Sequence, residues 1–256
     1  MAPRRFPASL TRVDGIRIGT SGWSYDHWDG ILYPPGTPTA RRRDVYVSEF
    51  DTVELNASFY RWPRAATFAS WQRNLPPGFM MTVKAPRGLT HAKRLYAPEA
   101  WVERMRTALH ELGDKRGPLL IQTHPAHERD DARLAHVLDA INDACPWLDV
   151  AVELRHESWH VPDVWRLLES RGASYVVMSG AHLRCHLVAT APLVYLRWHG
   201  PSHDHLYAGS YSDQDLAWWA DRIREWRSGG HWVAGYFNND GHGFAVHNAR
   251  RLRSLL

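Results

Sequence analysis

Eight short runs of apolar, largely β-branched residues recur along this 256-residue chain, and amphipathic stretches separate most of them. The runs cover 16–20, 52–58, 79–84, 119–123, 148–155, 174–178, 193–199 and 231–238. Their lengths suit strands, not helices. Helical periodicity fits 65–74, 98–112, 130–144, 162–171, 212–228 and 243–255, whereas the link after the sixth run is only weakly helical. Pro98 and Pro162 stand where a first helical turn tolerates proline, and Ser212 with Asp215 approximates a capping box. Alternation of this kind implies parallel strands joined by right-handed crossovers. Eight strands in 256 residues is one per about 32 residues, the size of a βα unit. The expected α/β fold is a single (β/α)8 TIM-type barrel over 15–256. A doubly wound open sheet is the runner-up. It is disfavoured because Gly19-Thr20-Ser21-Gly22, after the first run, is not the Gly-rich phosphate fingerprint of that fold.

Composition narrows the classes. At 44% hydrophobic and 23% charged residues, the chain can bury a core. It has no apolar run of membrane-spanning length, so no membrane partner is expected. Two cysteines, Cys145 and Cys185, exclude a disulfide scaffold and a thiolate metal centre. Residues 1–14 lack an apolar stretch of signal-peptide length and read as a disordered N-terminal extension on a cytoplasmic protein. The formal charge of +4 is too small to demand a nucleic-acid partner. Only Lys84, Lys93 and Lys115 among the 31 basic residues are lysines.

Strand side chains alternate between the two faces of a sheet, and in a barrel of this type function sits where the strands end. Turning apolar residues toward the outer helices puts Glu54, Asn56, Ser58, Lys84, Gln122, Glu153, Arg155, Tyr195, Arg197, His199, Tyr236 and Asn238 inside. A barrel interior normally fills with Val, Ile and Leu, and buried charge is costly unless paired. Three cations and two carboxylates from four strands therefore read as a functional mouth. The excess of cations, two of them planar guanidinium groups, favours an anion such as phosphate or carboxylate. Lys84 can shed a proton when desolvated, which Arg cannot; a general base, a Schiff base and simple ion pairing all remain open for it.

Other features carry less. His199, His203 and His205 cluster, and His124, His156 and His242 start other loops, but the interior cations repel a divalent ion and no His-Glu-x-x-His spacing exists. No metal and no cofactor are expected. Arg41-Arg42-Arg43 reads as a solvated helix face. Trp23, Tyr25, Trp28, Tyr60, Trp62 and Trp159 fall on loops after strands, where aromatic rings can stack on bases or sugars or simply anchor the loops.

Taken in order, several segments resemble the YecE-like domain-of-unknown-function family over nearly the whole chain from Ile16. They include Gly19-Thr20-Ser21-Gly22-Trp23-Ser24-Tyr25, Val53-Glu54-Leu55-Asn56-Ala57-Ser58-Phe59-Tyr60, Lys84 with Thr90-His91, and Glu153-Leu154-Arg155-His156 with Ser158-Trp159. Tyr195-Leu196-Arg197-Trp198-His199-Gly200 and Tyr236-Phe237-Asn238-Asn239-Asp240 complete the match. The resemblance implies a TIM-barrel-like fold and supplies no reaction. Ser179 stands near where that family more often carries Asp. At a distance the fold is also similar to barrels of the endonuclease IV and xylose isomerase type, an analogy about architecture alone.

The expected function is an enzyme acting on an anionic small molecule by acid–base chemistry. Glu54, Lys84, Glu153 and His199 are the candidate catalytic residues. Asn56, Tyr60, His91, Gln122, Arg155, Trp159, Arg197, Asn238 and Asn239 are the candidate substrate contacts. A nucleic-acid-binding or endonuclease IV-like protein is the alternative. A glycosidase-like hydrolase using Glu54 and Glu153 is a second, and there the carboxyl separation would decide. The sequence leaves oligomeric state open.

Overall fold

The computed structural model describes residues 15–256; the N-terminal extension expected over 1–14 lies outside the described residues. Eight parallel strands, β1 (Ile16–Ser21), β2 (Thr52–Leu55), β3 (Met80–Lys84), β4 (Arg116–Gln122), β5 (Val150–Glu153), β6 (Ser174–Ser179), β7 (Leu193–Trp198) and β8 (Trp232–Phe237), close into a barrel in chain order. The closure is β8 pairing with β1, with Ile16 opposite Val233 and Thr20 opposite Phe237. Helices α1 (Thr39–Glu49), α2 (Ala57–Tyr60), α3 (Ala65–Asn74), α4 (Glu99–His110), α5 (Asp131–Ala144), α6 (Pro162–Ser170), α7 (Asp213–Ser228) and α8 (Phe244–Leu255) follow the strands. The expected (β/α)8 barrel is therefore what the chain forms. Among the described residues no helix crosses from β6 to β7, and none is long and apolar enough to span a membrane.

The alternation of side chains produces two separate cores. Val53, Val83, Ile121, Val152, Leu196 and Trp198 point outward and pack with the helices. Leu120, Ala151, Val176, Tyr195, Ala234 and Tyr236 fill the barrel. Within the inner core the Tyr236 hydroxyl lies 2.8 Å from both Thr52 Oγ1 and Thr82 Oγ1, so three strands share one satisfied polar contact below the mouth. On β8 a side chain has no room at Gly235: a Cβ there would lie 2.5 Å from the Trp198 ring, which stacks on Phe237 at 4.4 Å.

Helix starts follow local chemistry. The Asp130 side chain accepts from the Arg133 N–H at the head of α5, and Ser212 and Asp215 form a reciprocal capping box on α7. Helix α1 went unanticipated because it buries only Tyr46 completely and carries Arg41, Arg42, Arg43 and Asp44 on its other faces. Those arginines do lie on a helix face: Arg41 and Arg43 pair with Asp44, and Arg42 with Asp26. The second strand also differs from expectation. It ends at Leu55, and the chain turns at once into α2. Ser58 therefore sits on a helical turn, its Oγ in hydrogen-bond reach of the Leu55 and Lys84 carbonyls, and not in the barrel wall.

Candidate functional site at the barrel mouth

Strands β2, β5 and β7 bring Glu54, Glu153 and Arg197 to the barrel axis, and all three side chains are fully buried. The Arg197 guanidinium bridges the two carboxylates. Nη2 donates to Glu54 Oε1 at 2.7 Å and Nη1 donates to Glu153 Oε2. Glu54 also accepts from Ser21 Oγ at 2.5 Å and from the Tyr195 hydroxyl at 2.6 Å. Glu153 Oε1 accepts from Gln122 Nε2 at 2.6 Å and from Arg155 Nε. Every carboxylate oxygen thus has a donor, which offsets the large cost of removing these charges from water. Burial pushes the Glu153 pKa up, but Arg155 and Arg197 outweigh it and hold the carboxyl well below its usual range.

His199 is buried beside this network, and burial followed by the Arg197 charge pushes its pKa down to about 3. Its Nδ1 lies 3.2 Å from Asn238 Nδ2. Its Nε2 is 3.7 Å from Glu153 Oε2 and 3.4 Å from Arg155 Nη2.

Lys84 ends β3 and differs from its neighbours. It is 8% exposed, and its Nζ stands 4.4 Å over the centre of the Phe59 ring. Among the described residues no carboxylate reaches ion-pair distance of that amine, because Arg197, Arg155, Gln122, Ser21 and Tyr195 already occupy both acids. Burial, followed by repulsion from Arg197, lowers its pKa to about 7 despite the pull of Glu153 and Glu54. Phe59 packs edge-on against His91 at 4.8 Å, and His91 against His124 at 5.1 Å. Burial and the His124 charge push the His91 pKa down to about 4; its Nδ1 is 2.9 Å from Thr90 Oγ1.

Beyond Glu153, Arg155 lines a cleft of about 410 Å³ at the ends of β5 and β6, together with Glu157, His160, His182 and Arg184. A second cleft of about 330 Å³ shares Glu157, His160 and Arg184 and adds His156 and His186. Among the described residues, no three His, Cys, Asp or Glu side chains converge as a metal site.

Several sequence-derived assignments need correction. Trp159 is not a ligand contact: it is fully buried in the outer core, with its indole N–H donating to the His127 carbonyl at 2.6 Å. Asn239 is likewise internal, donating to the Gly209 carbonyl and to Asn248 Oδ1. Arg197 cannot clasp a substrate, since both of its Nη groups hold carboxylates and no part of its side chain is exposed. Glu54, Glu153 and His199 are equally enclosed, with no exposed side-chain surface. Gln122 supports Glu153. Tyr60 is 74% exposed on α2, and Asn56 Oδ1 is buried with no hydrogen-bond partner among the described residues. Sequence reasoning missed Phe59 beneath Lys84, because the helical turn breaks strand parity, and it missed His160, His182 and Arg184, which lie on loops with no period to read.

The chain is 27% identical over 272 residues to UPF0759 protein YunF of Bacillus subtilis (strain 168), with 94% of each covered. Its fold matches the crystal structure of a DUF72 family protein from Thermotoga maritima MSB8 with a TM-score of 0.82 at 26% identity, covering 94% of this chain and 98% of that one. A DUF72 family protein from Enterococcus faecalis V583 matches with a TM-score of 0.78 at 21% identity, covering 94% and 95%. Residues 17–256 match the family described as "Protein of unknown function DUF72", and with the barrel and nearly full coverage in view, the chain belongs to the DUF72 family.

Proposed function

We propose that the barrel mouth binds a small phosphate- or carboxylate-bearing molecule and that Lys84 transfers a proton to or from it. The observation that carries this reading is the division of labour among the charges. Arg197 and Arg155 neutralise both carboxylates from within the barrel, which leaves Lys84 at the mouth and Arg184 along the adjoining cleft as cations with no ion-pair partner among the described residues. Among the described residues, Glu157 is the one acid lining that cleft. A neutral His199 behind Arg155 adds no competing charge. Lys84, with its pKa near 7, both accepts and donates protons at neutral pH, the condition for efficient acid–base work.

The glycosidase-like alternative has less support, because a guanidinium fills the space between Glu54 and Glu153 and neither carboxyl is free to meet a sugar. Stacking of bases on the loop aromatics has less support too, since Trp28, Trp62 and Trp159 are buried.

Calorimetric titration with inorganic phosphate and with citrate tests the reading. Binding should weaken about tenfold or more in Arg184→Gln, as expected for loss of a charge-assisted contact of about 1.5–3 kcal/mol. Absence of binding by the wild-type protein, or equal binding by the variant, would refute it.

A further inference from the structure

We infer that Lys84 is a nucleophile whose amine condenses with the carbonyl carbon of an anion-bearing aldehyde or ketone held in the mouth. The inference rests on the proposed anion site for the charge of the substrate, but not for the chemistry of the amine.

A lysine attacks a carbonyl only as the neutral amine with its lone pair unshared. Ion pairing is the commonest way for a buried lysine to lose that capacity, and here it is blocked. The four oxygens of Glu54 and Glu153 are taken by Arg197, Arg155, Gln122, Ser21 and Tyr195. Lys84 Nζ lies over the face of Phe59, 4.4 Å from the ring centre. A phenyl ring strips water from the amine but cannot hydrogen-bond to its lone pair. The charges that Lys84 feels most strongly after its burial include Arg197, another cation, and the resulting pKa of about 7 leaves roughly half the amine neutral at neutral pH. The end of a barrel strand also fixes the amine on a rigid element, at the mouth where loops can close over a substrate.

The other two lysines show what the site avoids. Lys115 is buried, and its Nζ donates to the carbonyls of Gln72 and Leu75, which hold it as a structural cation. Lys93 is exposed on the surface, with no aromatic face or barrel wall among the described residues to strip water from its amine.

The step balances within the site. The Nζ lone pair forms the C–N bond as the carbonyl π bond breaks, giving a carbinolamine after the proton moves from nitrogen to oxygen. Loss of the hydroxyl with one further proton as water leaves the imine. No oxidant or metal enters.

Reductive trapping reads this directly. The full chain is treated with sodium cyanoborohydride and either glyoxylate, an anionic aldehyde, or acetaldehyde, a neutral one, and adducts are mapped by peptide mass spectrometry. Glyoxylate should label Lys84 first, at least about tenfold faster than Lys93 at pH 7, since the Lys84 amine is desolvated and, among the described residues, free of any ion pair. Labelling should rise with pH through a midpoint near 7, inorganic phosphate should slow it at Lys84 alone, and Lys84→Arg should abolish the fast adduct. Labelling of Lys93 with Lys84 left unmodified by both aldehydes would overturn the inference. Fast labelling of Lys84 by both aldehydes at equal rates, unaffected by phosphate, would uphold the nucleophile and overturn the anion site.

Discussion

Replacing Arg197 by Met should destabilise the fold more than any other single change at the mouth. The substitution keeps most of the side-chain length and removes the cation between two carboxylates that have no access to water. Glu153 would keep Arg155 and Gln122 on Oε1. Glu54 would keep only two neutral donors, Ser21 and Tyr195. An uncompensated buried charge of this kind costs about 3–5 kcal/mol. For a domain of this size each kcal/mol moves Tm by about 2–4 °C, so a fall of about 6–20 °C is expected. The pH dependence has a definite sign. In the wild type the Glu153 pKa is lowered by folding, so its contribution is present above the ordinary carboxylate range and is lost as pH falls through the folded value. In the variant Glu153 loses one of the two guanidinium groups that hold its pKa down, so part of that contribution is missing at neutral pH and the difference fades in acid. The stability gap should therefore narrow from pH 7.5 to pH 4.5. Urea unfolding followed by tryptophan fluorescence measures both points. If Arg197→Met does not fold, the double variant Glu54→Gln/Arg197→Met should, because it leaves no orphaned charge on Glu54. A loss below about 1 kcal/mol at pH 7.5, or a gap that widens in acid, would refute the bridging role.

Lys84→Met should behave in the opposite manner: with no carboxylate left unpaired, stability at pH 7 should change by about 1 kcal/mol or less. Because folding lowers the Lys84 pKa, the wild type should gain on this variant as pH rises from about 7 toward the ordinary lysine range, and thermal denaturation across that window checks it. A collapse of several kcal/mol would make Lys84 a core ion-pair member, about 3–5 kcal/mol being the scale for a broken buried pair. Gly235→Ala should cost about 1–3 kcal/mol by overpacking against Trp198; near-identical urea midpoints for variant and wild type would show that the Trp198–Phe237 stack yields freely.

The enclosed network and the open lysine are two parts of one arrangement. Arg197 and Arg155 satisfy the acids from β2 and β5 so completely that they do not reach Lys84 on β3. Removing Tyr195 would leave Glu54 Oε2 without a donor, and removing Gln122 would leave Glu153 Oε1 with Arg155 alone, so each loss would free acceptor capacity to compete for the lysine proton. Gln122 and Tyr195 are thus positioning residues for a group they do not touch.

The sequence by itself determined the barrel, because the spacing of apolar runs and the period-two alternation are local properties of the chain. It determined, too, that Glu54, Lys84, Gln122, Glu153, Tyr195, Arg197 and Tyr236 face the axis, since strand parity follows from where Val, Leu and Ile must go. Only the tertiary structure decided which of these meet. Arg197 reaches Glu54 and Glu153 from strands far apart in the chain, and that meeting depends on depth along the barrel and on the relative register of β2, β5 and β7, which no local pattern encodes. It also settled the roles of Trp159 and Asn239, which lie on loops where no period says whether a side chain faces the core or the mouth. The separation of Lys84 from every carboxylate is of the same kind: it reflects competition among five donors for four oxygens, an outcome fixed only when all of them share one space.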